Sequence, residues 1–275
     1  MTRGSSDYLN AQQHAQIQQW KQSWLWRSEL PTWLLMATIY SGWFATLAYW
    51  QRLGLWPATG LLILFTSWYL SLQHELIHGH PTRFPRLNQL FGTLPRAVWY
   101  PYGLYRDSHL AHHRNHSLTD PDDDPETWYV SPARWARLRP WQRRTIHLRN
   151  TFPGRLLLGP LLDIYAALRS LLLAICRVEG RAIAMWIVHL ALLAVLFAWM
   201  ARQGFSPLWF TLAVSYPALM LTKVRSFYEH RADADPLARS VNNKAGWAWR
   251  LLFLNLNYHA VHHDLPGLPW YGLRR

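Results

Sequence analysis

Four stretches of the chain contain no charged side chain and are rich in apolar residues. They cover residues 31–50, 53–73, 182–201 and 203–222. Each holds about 20 residues, enough for an α-helix to cross the roughly 30 Å hydrocarbon core of a bilayer. Very short turns, at 51–52 and at 202, join them in pairs. The pattern therefore predicts an all-α membrane protein with four transmembrane helices in two hairpins, within one domain covering residues 1–275.

A fifth apolar stretch, 156–175, carries Asp163 and Arg169. Charges inside a span are costly, whereas a helix that lies along the membrane interface can turn them toward water. A fifth span would also place the polar segments around it on opposite sides of the membrane. We therefore expect this stretch to form an interfacial helix.

Lys and Arg residues are concentrated in three segments of the chain. Residues 1–30, 80–181 and 223–275 carry nearly all of them, whereas the two turns carry only Arg52 and Arg202. By the positive-inside rule, both termini and the long middle segment lie in the cytoplasm. Topology thus explains the net charge of +13, and no nucleic acid is expected as a partner, since no recognition fold is visible. We expect a multi-pass membrane protein with a cytoplasmic helical cap.

Histidine clusters stand just outside the apolar stretches, once with the spacing HxxxH and twice with HxxHH. They are His74 and His78, then His109, His112 and His113, then His259, His262 and His263. Residues four apart lie on one face of a helix, and we expect each helical turn to direct its imidazoles at one point. On the topology above, all eight lie on the cytoplasmic side and can converge there.

Eight imidazoles favour a centre with two metal ions. A structural zinc site needs only four ligands and usually includes cysteine. The chain has 1 cysteine, Cys176, which also excludes an iron–sulfur cluster held by this chain alone. Neutral imidazole binds iron, zinc and copper, and iron with open coordination positions activates oxygen. We interpret the clusters as ligands of two Fe ions with O₂ as co-substrate.

The three motifs, in this order and with an apolar pair between the last two, resemble the integral-membrane fatty acid desaturase and hydroxylase superfamily. The resemblance covers roughly residues 30 to 270. The family commonly has a further histidine ligand after the last span, which here is His230 in the run RSFYEHR. That run and the ending NYHAVHHDLPGLPWY are most similar to a bacterial branch that includes lipid desaturases and dihydrorhizobitoxine desaturases. This resemblance implies that the membrane is a bacterial inner membrane.

Residues next to the clusters are candidates for supporting roles. Metal-bound imidazoles usually donate their second N–H to an acceptor. The carboxylates within two residues of a ligand are Glu75, Asp107, Glu229 and Asp264. Asn257 is a candidate hydrogen-bond partner for a metal-bound water.

The remaining histidines are weaker candidates. His80 and His116 adjoin the clusters and are candidate extra ligands, whereas His14, His147 and His189 are not expected to bind metal. Because His189 lies in the middle of a span, we expect it to make a hydrogen bond inside the helix bundle.

Two charged features near the clusters have open interpretations. Arg225 and Arg231 can pair with nearby acids or hold an anionic substrate head group. The acidic segment 119–126, with the sequence TDPDDDPE, is dominated by turn residues, and we interpret it as a solvated loop rather than a cation site.

The resemblance implies an oxidoreductase: an O₂-dependent non-haem di-iron desaturase that acts on a fatty acyl or lipid chain, as an acyl-lipid or an acyl-thioester. A hydroxylase or ketolase on the same scaffold is an alternative. A metal transporter is a distant one, because transport needs ligands along a path through the membrane. No electron-transfer module is visible, which implies a separate donor of the ferredoxin, rubredoxin or cytochrome b5 type, with its reductase. The basic face is suited to an acidic donor.

Overall fold

The computed structural model describes residues 10–115 and 117–274. Helices make up its regular structure, and the described residues contain no β-ladder. The all-α class predicted from the apolar stretches is confirmed.

The helices of the first half hold the first apolar hairpin and two histidine clusters. They are α1 (Ala11–Gln22), α2 (Trp24–Ser28), α3 (Leu30–Ala48), α4 (Trp50–Leu53), α5 (Leu55–Ile77), α6 (Pro85–Thr93) and α7 (Tyr102–Arg114). The helices of the second half include one π-helical and one 3₁₀ segment. They are α8 (Pro132–Arg137), α9 (Pro140–Arg149), α10 (Phe152–Cys176), α11 (Gly180–Arg202), α12 (Pro207–Trp209), the π segment Phe210–Ser215, α13 (Tyr216–Glu229), the 3₁₀ segment Pro236–Arg239, α14 (Trp247–Leu252) and α15 (His259–Asp264).

Helices α3 and α5 form the first apolar hairpin and pack against each other. Pro31 occupies the first turn of α3, where its missing N–H has no intrahelical acceptor to lose. The ring of Trp43 is fully buried in a cluster with Leu47 and Leu62. Its indole N–H donates to Oγ1 of Thr66 at 3.1 Å, so the polar atom of this buried ring is satisfied.

Helix α5 is longer than its apolar stretch predicts. It continues past residue 73 to Ile77, so His74 lies in its last turn and His78 directly follows it. All residues from 69 to 77 are buried. The first histidine cluster therefore stands at a helix end that the rest of the protein encloses.

Helix α10 covers the fifth apolar stretch, for which the sequence predicts an interfacial position. It has 25 residues and is long and apolar enough to cross a membrane, as are α5 and α11. Asp163 of α10 pairs with Lys223 of α13, so a neighbouring helix neutralises one of the two charges that argued against a span. Three described helices, a different set from the four predicted, meet the length and hydropathy requirement. The four-span topology and the interfacial helix stay predictions.

The second apolar hairpin is less regular than the first. Helix α11 matches the predicted stretch 182–201 to within two residues at each end, whereas 203–222 is divided among α12, the π segment and α13. Pro217, in the first turn of α13, has no N–H to donate and crowds the carbonyl one turn earlier. The backbone before it takes the wider i→i+5 bonding of a π-helix. The fourth predicted span is therefore a composite element that continues to Glu229.

The outward faces of α10 and α11 are apolar and exposed. Leu157, Leu161 and Leu172 of α10, and Ile187 and Val195 of α11, are each exposed over more than half of their area. Contiguous apolar surface of this kind is unusual on a soluble monomer and normal against lipid. The chain is therefore a membrane protein, with α5 in its interior and α10 and α11 at its periphery.

The histidine clusters come together at one end of this bundle. Helix α5 contacts α7 and α13. The chain after α13 folds back through two isolated antiparallel bridges, His230 with Ser240 and Asn242 with Tyr258. The bridges bring the start of α15, where the last cluster lies, close to the end of α13. The cytoplasmic location of this end stays a prediction.

Candidate metal centre

Nine histidines converge beyond the end of α5 and form two groups. The first histidine group comprises His74, His78, His109, His113 and His262. The second histidine group comprises His112, His230, His259 and His263. Within each group, one ring nitrogen from every residue lies within 4.8 Å of all the others. Each group has the dimensions to hold one metal ion.

Each HxxHH motif contributes to both groups, contrary to the expectation that one helical turn directs its imidazoles at one point. In α7, His109 and His113 belong to the first histidine group and His112 to the second. In α15 the division is reversed, and only His262 belongs to the first. Successive residues of an α-helix are about 100° apart, so residues i and i+4 share a face and residue i+3 points to the other side of it. One turn of helix thus serves two neighbouring positions.

Short contacts between ring nitrogens define the first histidine group. The Nε2 atom of His109 lies 3.1 Å from Nε2 of His78 and 3.1 Å from Nε2 of His113. Nε2 of His113 in turn lies 3.1 Å from Nε2 of His262. These four nitrogens therefore face one another around a common space.

The second histidine group has the same construction. Nε2 of His230 lies 3.1 Å from Nε2 of His112 and 2.9 Å from Nε2 of His259. Nε2 of His259 lies 3.1 Å from Nε2 of His263. His230, predicted as a ninth ligand, thus lies among the imidazoles of this group.

Hydrogen bonds between the rings cannot explain these contacts. A ring nitrogen of neutral imidazole either carries one proton or accepts one. Nε2 of His109 therefore cannot donate to one neighbour and accept from the other, and the same holds for His230. By contrast, two nitrogens bound about 2.1 Å from one ion and about 90–100° apart lie about 3 Å from each other. The observed distances suit ligand atoms around an ion.

The environment of His74 leads to the same interpretation. Its ring is completely buried, and its centroid lies 4.7 Å from that of His78 and 4.5 Å from that of His262. Neither of its ring nitrogens has a hydrogen-bond partner among the described residues. Because an unpaired buried polar group is costly, a metal ion bound to one of the two ring nitrogens of His74 would stabilise the site. An all-imidazole donor set fits iron, and also zinc and copper.

Burial keeps most of the second-group rings neutral. Burial and the charges of neighbouring side chains lower the pKa of His259 and His263 far below the ordinary histidine value. Burial and then the neighbouring His112 lower the pKa of His230 to about 4. Neutral imidazole is the form that coordinates a metal ion.

Asp124 holds the ring of His112. Its Oδ1 accepts from Nδ1 of His112 at 2.8 Å and from the N–H of Glu126 at 2.9 Å, and its Oδ2 accepts from the N–H of Thr119 at 2.8 Å. Burial favours the neutral acid, but these hydrogen bonds lower the pKa of Asp124. Burial likewise opposes a charge on His112, but Asp124 and nearby carboxylates raise its pKa. The bond to Nδ1 leaves Nε2 of His112 free to face the second histidine group.

Two other rings have an acceptor at Nδ1. Nδ1 of His109 donates to Oε2 of Glu126 at 3.1 Å. Nδ1 of His230 donates to the carbonyl oxygen of Arg239 at 3.3 Å. In both residues Nε2 therefore carries the lone pair that a metal needs.

Glu229, a predicted supporting residue, lies between a cation and a ring of the second histidine group. Its Oε1 lies 2.7 Å from Nε of Arg225 and 3.5 Å from Nδ1 of His259. Burial raises the pKa of Glu229 despite the opposing charge of Arg225. The carboxylate therefore lies near His259 without a hydrogen bond to it, and its charge is balanced by Arg225.

Two more of the predicted supporting residues lie close to the groups but have other partners. Oε2 of Glu75 accepts from the N–H of Trp270 at 3.0 Å, and its Oε1 is 3.9 Å from Nδ1 of His74. The side-chain amide of Asn257 donates to the carbonyl of Asn243 at 2.8 Å. Glu75 thus ties the C-terminal segment to α5, and Asn257 closes a loop.

The last two predicted supporting residues lie at positions of a different kind. Asp107 forms ion pairs with Arg106 and Arg181, each at 2.8 Å. Asp264 is the final residue of α15. Nearness in sequence therefore identified Glu229 and Glu75, which lie 3.5 Å and 3.9 Å from Nδ1 of a clustered histidine.

Of the candidate extra ligands, His80 lies outside both groups. Its Nδ1 is 2.8 Å from Oε1 of Glu29, with both side chains buried. His116 lies outside the described residues.

The histidines not expected to bind metal lie apart from both groups. The ring of His147 packs against Trp135 with centroids 5.1 Å apart. Nε2 of His189 donates to the carbonyl of Val98 at 3.0 Å, the hydrogen bond inside the bundle that its mid-span position predicts. His14 lies in α1.

A cavity of about 840 Å³ opens beside both groups. Its histidines are His109 of the first group and His112, His230 and His259 of the second. Cavities of this size bind small organic ligands. A ligand bound here would contact imidazoles of both groups.

Asp124 and Glu126 are supporting residues that the sequence interpretation missed. They belong to the segment interpreted as a solvated loop, yet Asp124 is buried, and that interpretation is wrong for it. The available signal was position, because the two carboxylates follow the α7 cluster by no more than 17 residues. The loop after α7 turns back toward that helix and thereby places Asp124 and Glu126 beside its histidines.

Comparison with known proteins finds desaturases. The family model described as fatty acid desaturase matches residues 50–275. A probable fatty acid desaturase of Sorghum bicolor is 34% identical over 113 residues, which cover 40% of this chain and 28% of that protein. An acyl-lipid omega-3 desaturase (cytochrome b5) of the endoplasmic reticulum of Arabidopsis thaliana is 31% identical over 134 residues, 48% of this chain and 31% of that protein. A temperature-sensitive chloroplastic sn-2 acyl-lipid omega-3 desaturase (ferredoxin) of the same plant is 32% identical over 124 residues, 44% and 27%. The matched part of this chain spans less than a third of the length of each relative.

Proposed function

This chain belongs to the fatty acid desaturase family, and we propose that it is an O₂-dependent di-iron oxidoreductase that introduces a double bond into a fatty acyl or lipid chain. The observation that carries the proposal is the pair of imidazole groups beside a cavity, in which neighbouring Nε2 atoms lie 2.9–3.1 Å apart. Imidazole ligands with open coordination positions suit iron that activates oxygen. The names of the relatives support a desaturase.

The proposed ligands are the nine histidines of the two groups. The first histidine group offers five imidazoles and the second offers four. When bound, the two irons would supply the activation of O₂ and the removal of two hydrogens from adjacent methylenes, with O₂ reduced to water by electrons from a donor.

The chain's own residues orient these imidazoles and keep water away from them. Asp124, Glu126 and the carbonyl of Arg239 each accept a hydrogen bond from an Nδ1 atom. Fixed rings present their Nε2 lone pairs without reorganisation, which lowers the cost of binding an ion. The enclosed position of the rings limits side reactions of a reactive site with solvent.

The cavity is the proposed substrate site. Apolar and aromatic side chains, Leu70, Leu104 and Tyr105 among them, share its wall with imidazoles of both groups. A hydrocarbon chain that packs against them would place a pair of methylenes beside the histidines. Desaturation rather than hydroxylation then depends on how firmly both carbons are held.

The proposed electron donor is a separate protein. Two relatives are named for cytochrome b5 and for ferredoxin. Arg134, Arg137 and Arg139 are exposed on α8 and on the link from α8 to α9, a basic surface that would attract an acidic donor. We propose that this surface and both termini lie in the cytoplasm, with the protein in a bacterial inner membrane.

The first test of the proposal is the metal content of the purified protein. Elemental analysis and Mössbauer spectra of an iron-57 preparation should show about two high-spin, spin-coupled irons per chain, as expected for a two-metal site. One zinc per chain, or no bound metal in active protein, would contradict the di-iron assignment.

The second test is the lipid profile of cells that express the chain. Wild type should form new double bonds, and His262→Ala should form none, because that imidazole belongs to the first histidine group. Arg144→Gln, an exposed change outside both groups, should retain the wild-type profile. Hydroxylated chains without new double bonds would reject desaturation.

A further inference from the structure

Two arginines that line the cavity have no carboxylate partner among the described residues. Arg149, the last residue of α9, is 5% exposed, and Arg155 is half-buried in the first turn of α10. Burial and the nearby Arg155 guanidinium lower the pKa of Arg149 to about 10. Two guanidinium groups close to each other in a largely enclosed space are unfavourable unless an anion lies between or beside them.

The other charged side chains of the cavity are already paired. The ion pairs are Lys223 with Asp163, Arg225 with Glu229, and Arg231 with Asp233. The remaining carboxylates, Asp124 and Glu126, bind the rings of His112 and His109. Arg225 and Arg231, for which the sequence left a head-group role open, therefore pair with acids instead. Arg149 and Arg155 are the cavity cations that form no ion pair within the described chain, and the attraction of Asp163 reaches them only from beyond ion-pair distance.

Aromatic rings and one amide hold these two side chains in place. The Arg149 guanidinium lies 4.3 Å from the ring centre of Trp128, and its Nη1 donates to Oδ1 of Asn150 at 3.2 Å. The Arg155 guanidinium lies 5.6 Å from the ring centre of Phe227. The Nε atoms of both are buried and have no partner within the described chain. Because a guanidinium has five N–H donors, most of their hydrogen-bonding capacity is left for a ligand.

We propose that Arg149 and Arg155 bind the anionic head group, a carboxylate or a phosphate ester, of an amphiphilic substrate whose hydrocarbon chain extends along the cavity toward the histidines. The identification of this ligand as a substrate rests on the proposed desaturase function. Planar guanidinium groups match both oxyanions through paired N–H···O bonds. The N-terminal end of α10, beside Arg155, adds a partial positive charge.

Such an anchor would set which carbons of the chain react. The same cavity reaches His109 and His230, so the distance from the bound head group to the histidines determines which methylenes lie beside the metal positions. When the head group is held at one end of the cavity, the number of carbons between it and the histidines determines the position of the double bond.

The test compares three probes that share one sixteen-carbon chain: hexadecanoate, hexadecyl phosphate and hexadecanol. Binding of each radiolabelled probe is measured on iron-loaded full-length protein in neutral detergent, for wild type, Arg149→Gln, Arg155→Gln and Arg144→Gln. Arg144 is exposed on the same helix as Arg149 and serves as the matched control. Folding and iron content are measured on the same samples.

Wild type and Arg144→Gln should bind at least one anionic probe about tenfold or more tightly than hexadecanol, the scale expected of a charge-assisted pair. Each cavity variant should lose about tenfold in anion affinity while its affinity for hexadecanol stays unchanged. Preference for hexadecanoate would identify a carboxylate head group, and preference for hexadecyl phosphate a phosphate ester. Equal affinity of wild type for the three probes would overturn the proposal, as would cavity variants that keep the anion preference.

Two further outcomes separate this proposal from the proposed function. A variant that loses all three probes equally would indicate that the arginine only packs against its aromatic neighbour, which contradicts the head-group role. Wild type with about two irons and no head-group preference would contradict the head-group site but not the di-iron desaturase proposal. Head-group preference in a protein that forms no new double bond would contradict the desaturase proposal but not the anion site.

Discussion

The two histidine groups are built from the same motifs but are supported in different ways. In the second group, Nδ1 of His112 and of His230 donate to Asp124 and to the Arg239 carbonyl, whereas Nδ1 of His259 and of His263 have no hydrogen-bond partner in the described chain. In the first group, His109 faces Glu126, whereas Nδ1 of His113 and of His262 are buried without a hydrogen-bond partner in the described chain. Hydrogen bonds at Nδ1 therefore hold two of the four rings of the second group, whereas in the first group the described chain provides one for His109 alone.

The difference follows from where acceptors lie around the rings, since α7 and α15 each carry rings of both groups. The loop after α7 brings Asp124 to His112 of the second group and Glu126 to His109 of the first. His230 follows the end of α13 in an extended conformation, where the Arg239 carbonyl accepts from its Nδ1. The second histidine group thus depends on one such hydrogen bond more than the first. We therefore expect the second histidine group to be the more sensitive to loss of a polar neighbour.

The largest expected effect comes from removing one imidazole of each group. His262→Ala and His263→Ala change adjacent residues of α15 that belong to different groups. Each variant should lose all desaturated product, and its iron content should fall from about two to about one per chain. Elemental analysis with product profiling checks this. Loss of both irons from either variant would show that the two groups do not bind iron independently, so they could not be compared as separate sites.

The next effect is expected at the carboxylate that supports the second group. Asp124→Asn keeps the side-chain volume but weakens the bond to His112, and such partners typically contribute 10- to 100-fold, roughly, in metal affinity or activity. Iron affinity measured against a competing chelator should fall by about that factor for one of the two ions. Asp123→Asn, an exposed change in the same loop, is the control and should bind iron as wild type does. Equal losses in both variants would assign the effect to the loop rather than to His112.

A smaller effect is expected at the corresponding carboxylate of the first group. The Glu126 side chain is 28% exposed, and its bond to His109 is 3.1 Å long, against 2.8 Å for Asp124 and His112. Glu126→Gln should therefore reduce iron affinity by about tenfold or less. The same chelator competition measures it. A loss greater than that of Asp124→Asn would reverse the proposed difference between the groups.

The smallest effect is expected at Asp107, which sequence proximity suggested as a supporting residue. It pairs with Arg106 and with Arg181, whose side chain is 72% exposed, and exposed ion pairs contribute about 1 kcal/mol or less. Asp107→Asn should leave iron affinity unchanged and shift thermal unfolding only slightly. A clear loss of iron would return Asp107 to the set of residues that support the metal.

The helices were predictable because their signal is local. Absence of charge and sufficient length identify α3, α5 and α11 from the chain alone. The prediction of spans was less certain where a charge in one segment is paired by a charge in a distant segment. Asp163 argued against a spanning α10, but Lys223, sixty positions later, pairs with it. The π segment before Pro217 was not predicted either. Apolar content does not indicate how the backbone adjusts to the missing N–H of a proline.

By itself the sequence determined the helical class, the apolar stretches and the set of imidazoles, because residue type and helical period are properties of short segments. Tertiary structure alone decided how one HxxHH turn divides its rings between two positions, and that Asp124 and Glu126 return to the helix whose rings they hold. It also decided that Arg149 and Arg155 keep no carboxylate partner in the described chain. Charge pairing depends on distances between atoms of separate segments, and those distances exist only once the chain has folded.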